Sequence, residues 1–192
     1  MKVNTRVLAG LFVASAGDIG SGLIIIKLFG YSLNFTNLQL FLLSAIPFMF
    51  GVLLSMLPDF DILLSREKLD LNLSGKHRQV SHWPLITIPV VAGITLFITN
   101  SFWWMIISAL CFVIHYADDV FDKSGVMLFA PISLDHYEVG LNGIKISTQE
   151  EIRSDPPPPL GEWIDTRLLK PTPEAIGRLL LFTIGILVVL FP

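Results

Sequence analysis

The sequence predicts an all-α membrane protein, a bundle of about four to five transmembrane helices with a small cytoplasmic appendage made of a hairpin and a proline-rich strip. Apolar residues make up 53% of the chain and charged residues only 15%, and the mean hydropathy is +0.68. These values lie far from those of an average soluble domain. The apolar residues are also gathered into runs close to the roughly 20 residues that a helix needs to cross a bilayer.

Five apolar runs are the predicted helices. They cover residues 7–29, 40–57, 83–99, 102–117 and 179–191. The first run contains Asp18 and lacks a convincing cleavage site, so we expect a retained helix and not a signal peptide. An acidic residue inside a membrane helix is costly, which makes Asp18 a candidate functional residue. Gly17, Gly20 and Gly22 surround it and indicate either close helix contact or a local break.

The positions of basic residues predict the orientation of the bundle. Lys2 and Arg6 precede the first run, and more Lys and Arg lie between the second and third runs and between the fourth and fifth. The connections 30–39 and 100–101 contain neither residue type. Because basic loops stay in the cytoplasm, the N-terminus is expected inside, and the C-terminus outside if the fifth run spans. The expected location is a bacterial or archaeal cytoplasmic (inner) membrane.

Three segments are predicted along the chain: a transmembrane bundle at 1–131, a cytoplasmic appendage at 132–178 and a C-terminal hydrophobic helix at 179–192. Within the appendage, residues 138–146 are typical of a hairpin whose turn is Asn142-Gly143. Four prolines at 156–159 indicate a stiff strip, followed by a short amphipathic helix at 161–169. Such an appendage could cover a site or bind a soluble cytoplasmic protein.

Charge and cysteine content exclude several classes of function. The net charge of −3 provides no broad basic surface, so nucleic-acid binding through phosphate neutralisation is not expected. Cys111 is the only cysteine, which excludes an intrachain disulfide and a site built from several thiolates. Any metal would therefore be bound through nitrogen and oxygen.

Three charged clusters supply residues of the kinds that bind metals: PDFD at 58–61, HRQVSH at 77–82 and HYADD at 115–119. They hold three of the four histidines. In the predicted topology, each cluster lies at the cytoplasmic end of a helix, so all three reach one membrane face. The candidate metal ligands are Asp59, Asp61, His77, His82, His115 and Asp119.

Spacing suggests how these residues are presented. His115 and Asp119 are four apart, so a helix would place them on one face where they can share an ion. His77 and His82 would lie about 140° apart on a helix and are not expected to share one. We therefore expect His77 in a loop and Ser81 near the N-cap of the third helix.

Prolines mark the adjacent helix ends. Pro84 is expected in the first turn of the third helix, and Pro58 should end the second helix. Beyond Pro58, the carboxylates of Asp59 and Asp61 would then lie on a turn, where both could face inward.

The motifs together resemble the YdjM-like inner-membrane proteins, a family described as metal-dependent hydrolases. The family pattern has PD-x-D, HR-x-x-[TS]-H, and H-x-x-x-D followed by Gly and Pro. Here these are residues 58–61, 77–82 and 115–119, with Gly125 and Pro131. The resemblance covers roughly the first two-thirds of the chain. Family members tend to carry Thr-His at the start of helix one, where this chain has Thr5-Arg6.

The resemblance implies a membrane-embedded, cation-dependent hydrolase. Mixed His and carboxylate ligands suit Zn first and Mn or Fe next, as one ion or two. A metal-activated water would attack an ester or phosphoester of an amphiphilic or lipid substrate at the cytoplasmic face, with membrane lipid as the surroundings. Asp118 or a spare carboxylate would act as base. Arg78 would stabilise an oxyanion or hold a phosphate.

Two other classes remain open at this stage. One is a non-catalytic scaffold or binding protein with a structural or vestigial metal site, docking a cytoplasmic partner through the appendage; Arg6 favours it. The other is a small ion or proton-coupled transporter using Asp18 and the histidines. Transporters usually place several ionisable groups near the midplane, whereas only Asp18 lies there, so transport ranks third. His136 lies outside the motif pattern and is expected at the surface.

Overall fold

A computed structural model describes residues 5–60, 80–120, 126–140, 143–148, 151 and 172–191. Within them the fold is mainly helical, as predicted. The elements are α1 (Thr5–Leu28), α2 (Leu38–Met56), α3 (Pro84–Thr99), α4 (Phe102–Val120), β1 (His136–Gly140), β2 (Gly143–Ser147) and α5 (Pro173–Leu190). The chain divides into two compact units, the first made of Met1–Leu57 with Ile164–Pro192 and the second of Pro58–Trp163.

Glycines set the close packing of the first unit, in which α1 packs against both α2 and α5. A Cβ added to Gly22 would lie 2.7 Å from the carbonyl oxygen of Gly51 on α2. A Cβ added to Gly185 on α5 would lie 2.7 Å from the carbonyl oxygen of Gly20. The glycines around Asp18 therefore mark close helix contact and not a break, since α1 is continuous through them.

The second unit is built on α3 and α4, which pack side by side. Asn100 ends α3 in the left-handed conformation (φ 47°), and its N–H donates to the carbonyl oxygen of Leu96 at 2.8 Å. The resulting tight turn folds α4 back along α3. The buried residues of α4 recur at helical spacing and include both predicted metal ligands of this helix: Ile107, Ser108, Cys111, Phe112, His115, Tyr116 and Asp119.

Two helix ends differ from the prediction. α4 continues to Val120, three residues beyond the apolar run, so Asp119 belongs to its last turn. α5 begins at Pro173, six residues before the predicted start. Thr172 caps α5, its hydroxyl accepting from the N–H of Ala175 at 3.2 Å, and Pro173 provides the fixed φ favoured in a first turn. The first turn of α5 is therefore defined by capping, and because its residues are polar, a search for apolar runs does not include it.

The predicted hairpin is present, with one correction to its turn. β1 and β2 pair antiparallel in a register that matches Tyr137 with Ile146 and Gly140 with Gly143. Gly143 is thus the first residue of β2 and not the middle of the turn, and its φ of 106° explains glycine at this position. Val126, after α4, makes two backbone hydrogen bonds with Tyr137 at 2.9 and 3.0 Å. The proline strip and the helix expected at 161–169 lie outside the described residues.

Two of the described helical segments are long and apolar enough to cross a bilayer by length and composition, Leu38–Asp59 with hydropathy 2.3 and Phe102–Val120 with hydropathy 1.2. The helices Pro84–Thr99 and Ala175–Leu190 are apolar but shorter. The total of four to five spans and their orientation remain predictions.

Candidate metal centre

Three separate parts of the second unit bring ligand-type side chains together. Asp59 lies in a 3-10 turn, Leu57–Phe60, that follows α2 where Pro58 ends the regular helix. His82 lies in a second 3-10 turn, Val80–His82, directly before α3. His115 and Asp119 are one turn apart on the buried face of α4, as their spacing predicts.

The four side chains converge to hydrogen-bonding range or just beyond. The Nε2 atom of His82 is 3.5 Å from Oδ1 of Asp59 and 3.3 Å from Oδ2 of Asp119. The Nε2 atom of His115 is 3.7 Å and 3.3 Å from the same two oxygens. Each imidazole nitrogen therefore faces both carboxylates, and each carboxylate faces both imidazoles.

These four distances can be compared with the edges of a tetrahedral metal site. With zinc bonds of about 2.0–2.1 Å, the edge of the tetrahedron joining two ligand atoms is about 3.3–3.4 Å. The four nitrogen–oxygen distances run from 3.3 to 3.7 Å. Asp59, His82 and His115 are close enough to bind one metal ion, with their ligand atoms all within 4.8 Å of one another. The donor set of two imidazoles and two carboxylates suits Zn, and also Mn or Fe.

Ion pairing alone accounts for this geometry less well. A charge-assisted N–H···O bond has a length of about 2.7–2.9 Å, and Nε2 has one hydrogen to donate. Here each Nε2 faces two oxygens at longer distances than that. A cation bound by Asp59, His82 and His115 would contact all three of these side chains at once.

The four side chains differ in their exposure. His82, His115 and Asp119 are buried, whereas the side chain of Asp59 is 41% exposed. Burying three polar groups together is costly unless their charges and hydrogen-bonding atoms are satisfied within the cluster. Asp59 is therefore the most exposed of the four side chains.

Ser81 orients the His82 ring. Its hydroxyl oxygen lies 3.0 Å from Nδ1 of His82, and a bond donated by Nδ1–H would leave the lone pair of Nε2 for a metal. The prediction that Ser81 lies near the N-cap of the third helix is confirmed, since Ser81 is two residues before the N-cap Trp83, and Pro84 occupies the first turn as predicted. Because Pro84 fixes the start of α3, the cap falls on the residue immediately before it.

Tyr116 is a supporting residue that the sequence did not indicate. Its hydroxyl donates to the carbonyl oxygen of Ser81 at 2.7 Å and lies 2.6 Å from Oγ1 of Thr87. Its ring centroid is 6.0 Å from that of His82 and 5.6 Å from that of His115. Tyr116 thus ties the turn that carries His82 to α4. An aromatic residue beside a histidine gives no sequence signal for this contact, because the partner is a backbone carbonyl 35 residues away.

The other predicted site residues have different outcomes. Asp61, His77 and Arg78 lie outside the described residues, so their roles stay predictions. Asp118 is half-buried on α4, and its side chain leaves the helix about 100° around the axis from that of Asp119. Its role as a base also stays a prediction.

Residues expected away from the centre are found elsewhere. Asp18 is buried within the first unit, on α1. His136 is the first residue of β1 and is half-buried, so it is less exposed than a surface residue.

The fold and this cluster define a mainly helical protein with two helical segments able to span a bilayer and a candidate His/carboxylate metal centre. Residues 1–189 match the model of the YdjM inner membrane protein family, and the chain belongs to that family. The resemblance found in the first two-thirds of the sequence therefore extends over nearly the whole chain. No curated protein and no solved structure matched. Membership supports an inner-membrane location and a lipid environment, and it leaves the reaction to be established.

Proposed function

We propose that this protein is a membrane-embedded, metal-dependent hydrolase that cleaves an ester or phosphoester of an amphiphilic substrate at the cytoplasmic face. The observation that carries the proposal is the set of four nitrogen–oxygen distances, 3.3 to 3.7 Å, between two imidazoles and two carboxylates. Two imidazoles and two carboxylates gathered in a mostly buried cluster are ligands of the kind that hold a hydrolytic metal ion.

Each ligand would have its own part in holding the ion. His82, His115 and Asp119 are the buried ligands, and two histidines with one carboxylate are a common ligand set of hydrolytic zinc. When bound, the metal would supply a Lewis acid and a water acidified to a pKa of about 7. Zn is the first choice, with Mn or Fe next. A second ion would need Asp61 and His77 as further ligands.

Asp59 has the position of a proton acceptor. Its carboxylate is 41% exposed and lies within 3.7 Å of both imidazoles. In this role Asp59 would hold a water by a hydrogen bond, orient it and accept its proton. Asp118 is the alternative base. Arg78 would hold the phosphate or the developing oxyanion with its two-pronged guanidinium.

The substrate class follows from where the ligands lie on the helices. His82 is two residues before α3, and Asp119 is in the last turn of α4, so both lie at one end of an apolar helix pair. With the orientation predicted by the basic residues, this end lies at the cytoplasmic headgroup level. A lipid or another amphiphile would reach it with its polar group first.

The proposal is tested by measuring bound metal and hydrolysis in the same purified samples. The variants are His82→Ala and Asp119→Ala, with His136→Ala as control, since it removes a histidine of the same unit that lies outside the cluster. The readouts are elemental analysis and release of p-nitrophenol from p-nitrophenyl acetate and bis(p-nitrophenyl) phosphate. We expect wild type and the control to retain metal and activity, and both other variants to lose them. Equal metal content and turnover in all four proteins would refute the proposal.

A structural metal site is the second candidate, and one observation favours it. Four protein ligands would complete a tetrahedron and leave no position for water, as in closed structural zinc sites. Asp59→Ala separates the two functions. A hydrolase should keep its metal with an open position while losing turnover, whereas a scaffold should lose folding stability with no turnover to lose.

A further inference from the structure

An apolar groove of about 230 Å³ lies in the second unit, along the flank of α3 and α4. Pro84 and Ile88 of α3 form one wall, and residues of α4 form the other. The α4 residues used in the argument below are Val113, Tyr116, Ala117 and Val120. They span seven positions of α4, which corresponds to a length of about 10 Å along its axis.

The chemistry of the lining selects a hydrocarbon. Among the residues that line the groove, none is charged, and the one side-chain polar atom is the hydroxyl of Tyr116. That hydroxyl is already engaged with the carbonyl oxygen of Ser81 and with Thr87. A polar ligand would lose its hydration here with little compensation, whereas an alkyl chain loses nothing. Val113 and Ala117 are exposed, so the groove can be reached from the side of the helix pair.

One aromatic ring separates this groove from the candidate metal centre. Tyr116 lines the groove, and its ring centroid lies 5.6 Å from His115 and 6.0 Å from His82. Val120 also follows the ligand Asp119 directly in the chain. Tyr116 therefore contacts both the groove and the two imidazoles.

We propose that the groove binds one alkyl or acyl chain of the substrate and that Val113 and Ala117 set the chain length accepted. This inference rests on the proposed function and narrows it to chain-bearing esters or phosphoesters. We assign a hydrocarbon chain and not a partner helix as the occupant, because Tyr116 lines the groove and also contacts the two imidazoles. The polar group of the same molecule would bind at those imidazoles.

Substitutions that fill the groove test this inference. Val113→Phe places a bulky ring in the groove, and Val90→Phe is the matched control, since Val90 is an exposed α3 residue that does not line the groove. Hydrolysis of p-nitrophenyl acetate and p-nitrophenyl octanoate is compared as variant-to-wild-type ratios, which cancels partition of each ester into detergent. Metal content is measured in every sample.

We expect Val113→Phe to lower the ratio of octanoate to acetate hydrolysis at least tenfold relative to wild type. Preventing burial of about two methylenes should cost about 16-fold, at about fourfold per methylene, so tenfold is the minimum expected. Val90→Phe should leave this ratio unchanged. Equal effects of Val113→Phe on both esters, or no effect on either, would overturn the groove assignment while leaving the hydrolase proposal intact.

A binding experiment decides the matter if neither ester is cleaved. Decyl phosphate with a diazirine at the chain end is photolysed with wild type and both variants, and the labelled peptides are mapped by mass spectrometry. Labelling within 113–120 that is lost in Val113→Phe and kept in Val90→Phe would support the groove even if hydrolysis failed. Label distributed over other exposed apolar residues, unchanged by Val113→Phe, would refute it.

Discussion

Replacing His82 by alanine should remove a quarter of the metal-binding free energy. Structural zinc sites bind with about 10–16 kcal/mol, so one of four coordination positions accounts for roughly 2.5–4 kcal/mol. The Kd for Zn should therefore rise by about 10²- to 10³-fold. His82 is the best ligand for this test because its side chain is fully buried and its Nε2 atom lies within 3.5 Å of both carboxylates. A water molecule would not easily take the place of this nitrogen as a ligand.

The assay is competition against a chromophoric chelator of known zinc affinity, in detergent, at fixed pH. His136→Ala is the control, because it removes an imidazole that lies outside the cluster. Ser81→Ala is an intermediate case: it leaves the ligands in place but removes the group that orients the His82 ring, so a 10- to 100-fold rise in Kd is expected. A His82→Ala protein that binds Zn within threefold of wild type would refute the reasoning that this ring is a ligand.

Three further outcomes are expected. Tyr116→Phe removes the hydroxyl that donates to the Ser81 carbonyl, so the free energy of unfolding should fall by about 1–3 kcal/mol and zinc should bind more weakly. Unchanged thermal stability would contradict this. Zinc affinity should fall as the pH is lowered, by about tenfold per unit for each imidazole that must lose a proton, and a pH-independent Kd would exclude histidine ligands. Gly22→Ala should destabilise the protein by about 1–3 kcal/mol because its methyl group would meet the Gly51 carbonyl, whereas Gly93→Ala, with open space around it, should be neutral or stabilising; equal melting temperatures would refute the packing account.

Hydropathy, together with the prolines and capping residues at helix ends, predicts most of the helical fold. The apolar runs place the five α-helices of the described residues, because each of these helices is built from a nearly continuous apolar stretch. The start of α5 was missed because Thr172 and Pro173 begin the helix in a polar turn, and a capping signal carries little weight in a hydropathy window. The turn of the hairpin was placed one residue late, because Asn-Gly alone does not fix the strand register.

In the candidate site, contacts within one helix were predictable from the sequence, whereas contacts between distant segments were less so. The pair His115 and Asp119 follows from helical spacing alone, because i and i+4 side chains must share a face. The meeting of this pair with His82 and Asp59 was expected only from topology and family motifs. Tyr116 was not predictable, since its role depends on a distant backbone carbonyl, and backbone atoms carry no sequence identity.

The central claim is that His82 and His115, with the carboxylates beside them, bind one metal ion, and X-ray absorption at the zinc edge of the zinc-loaded protein tests it most directly. The account predicts a shell of nitrogen and oxygen at about 2.0–2.1 Å with outer-shell scattering from two imidazoles. In His82→Ala, the scattering of one imidazole should disappear. A zinc shell made only of oxygen, with no imidazole scattering in wild type, would contradict the account.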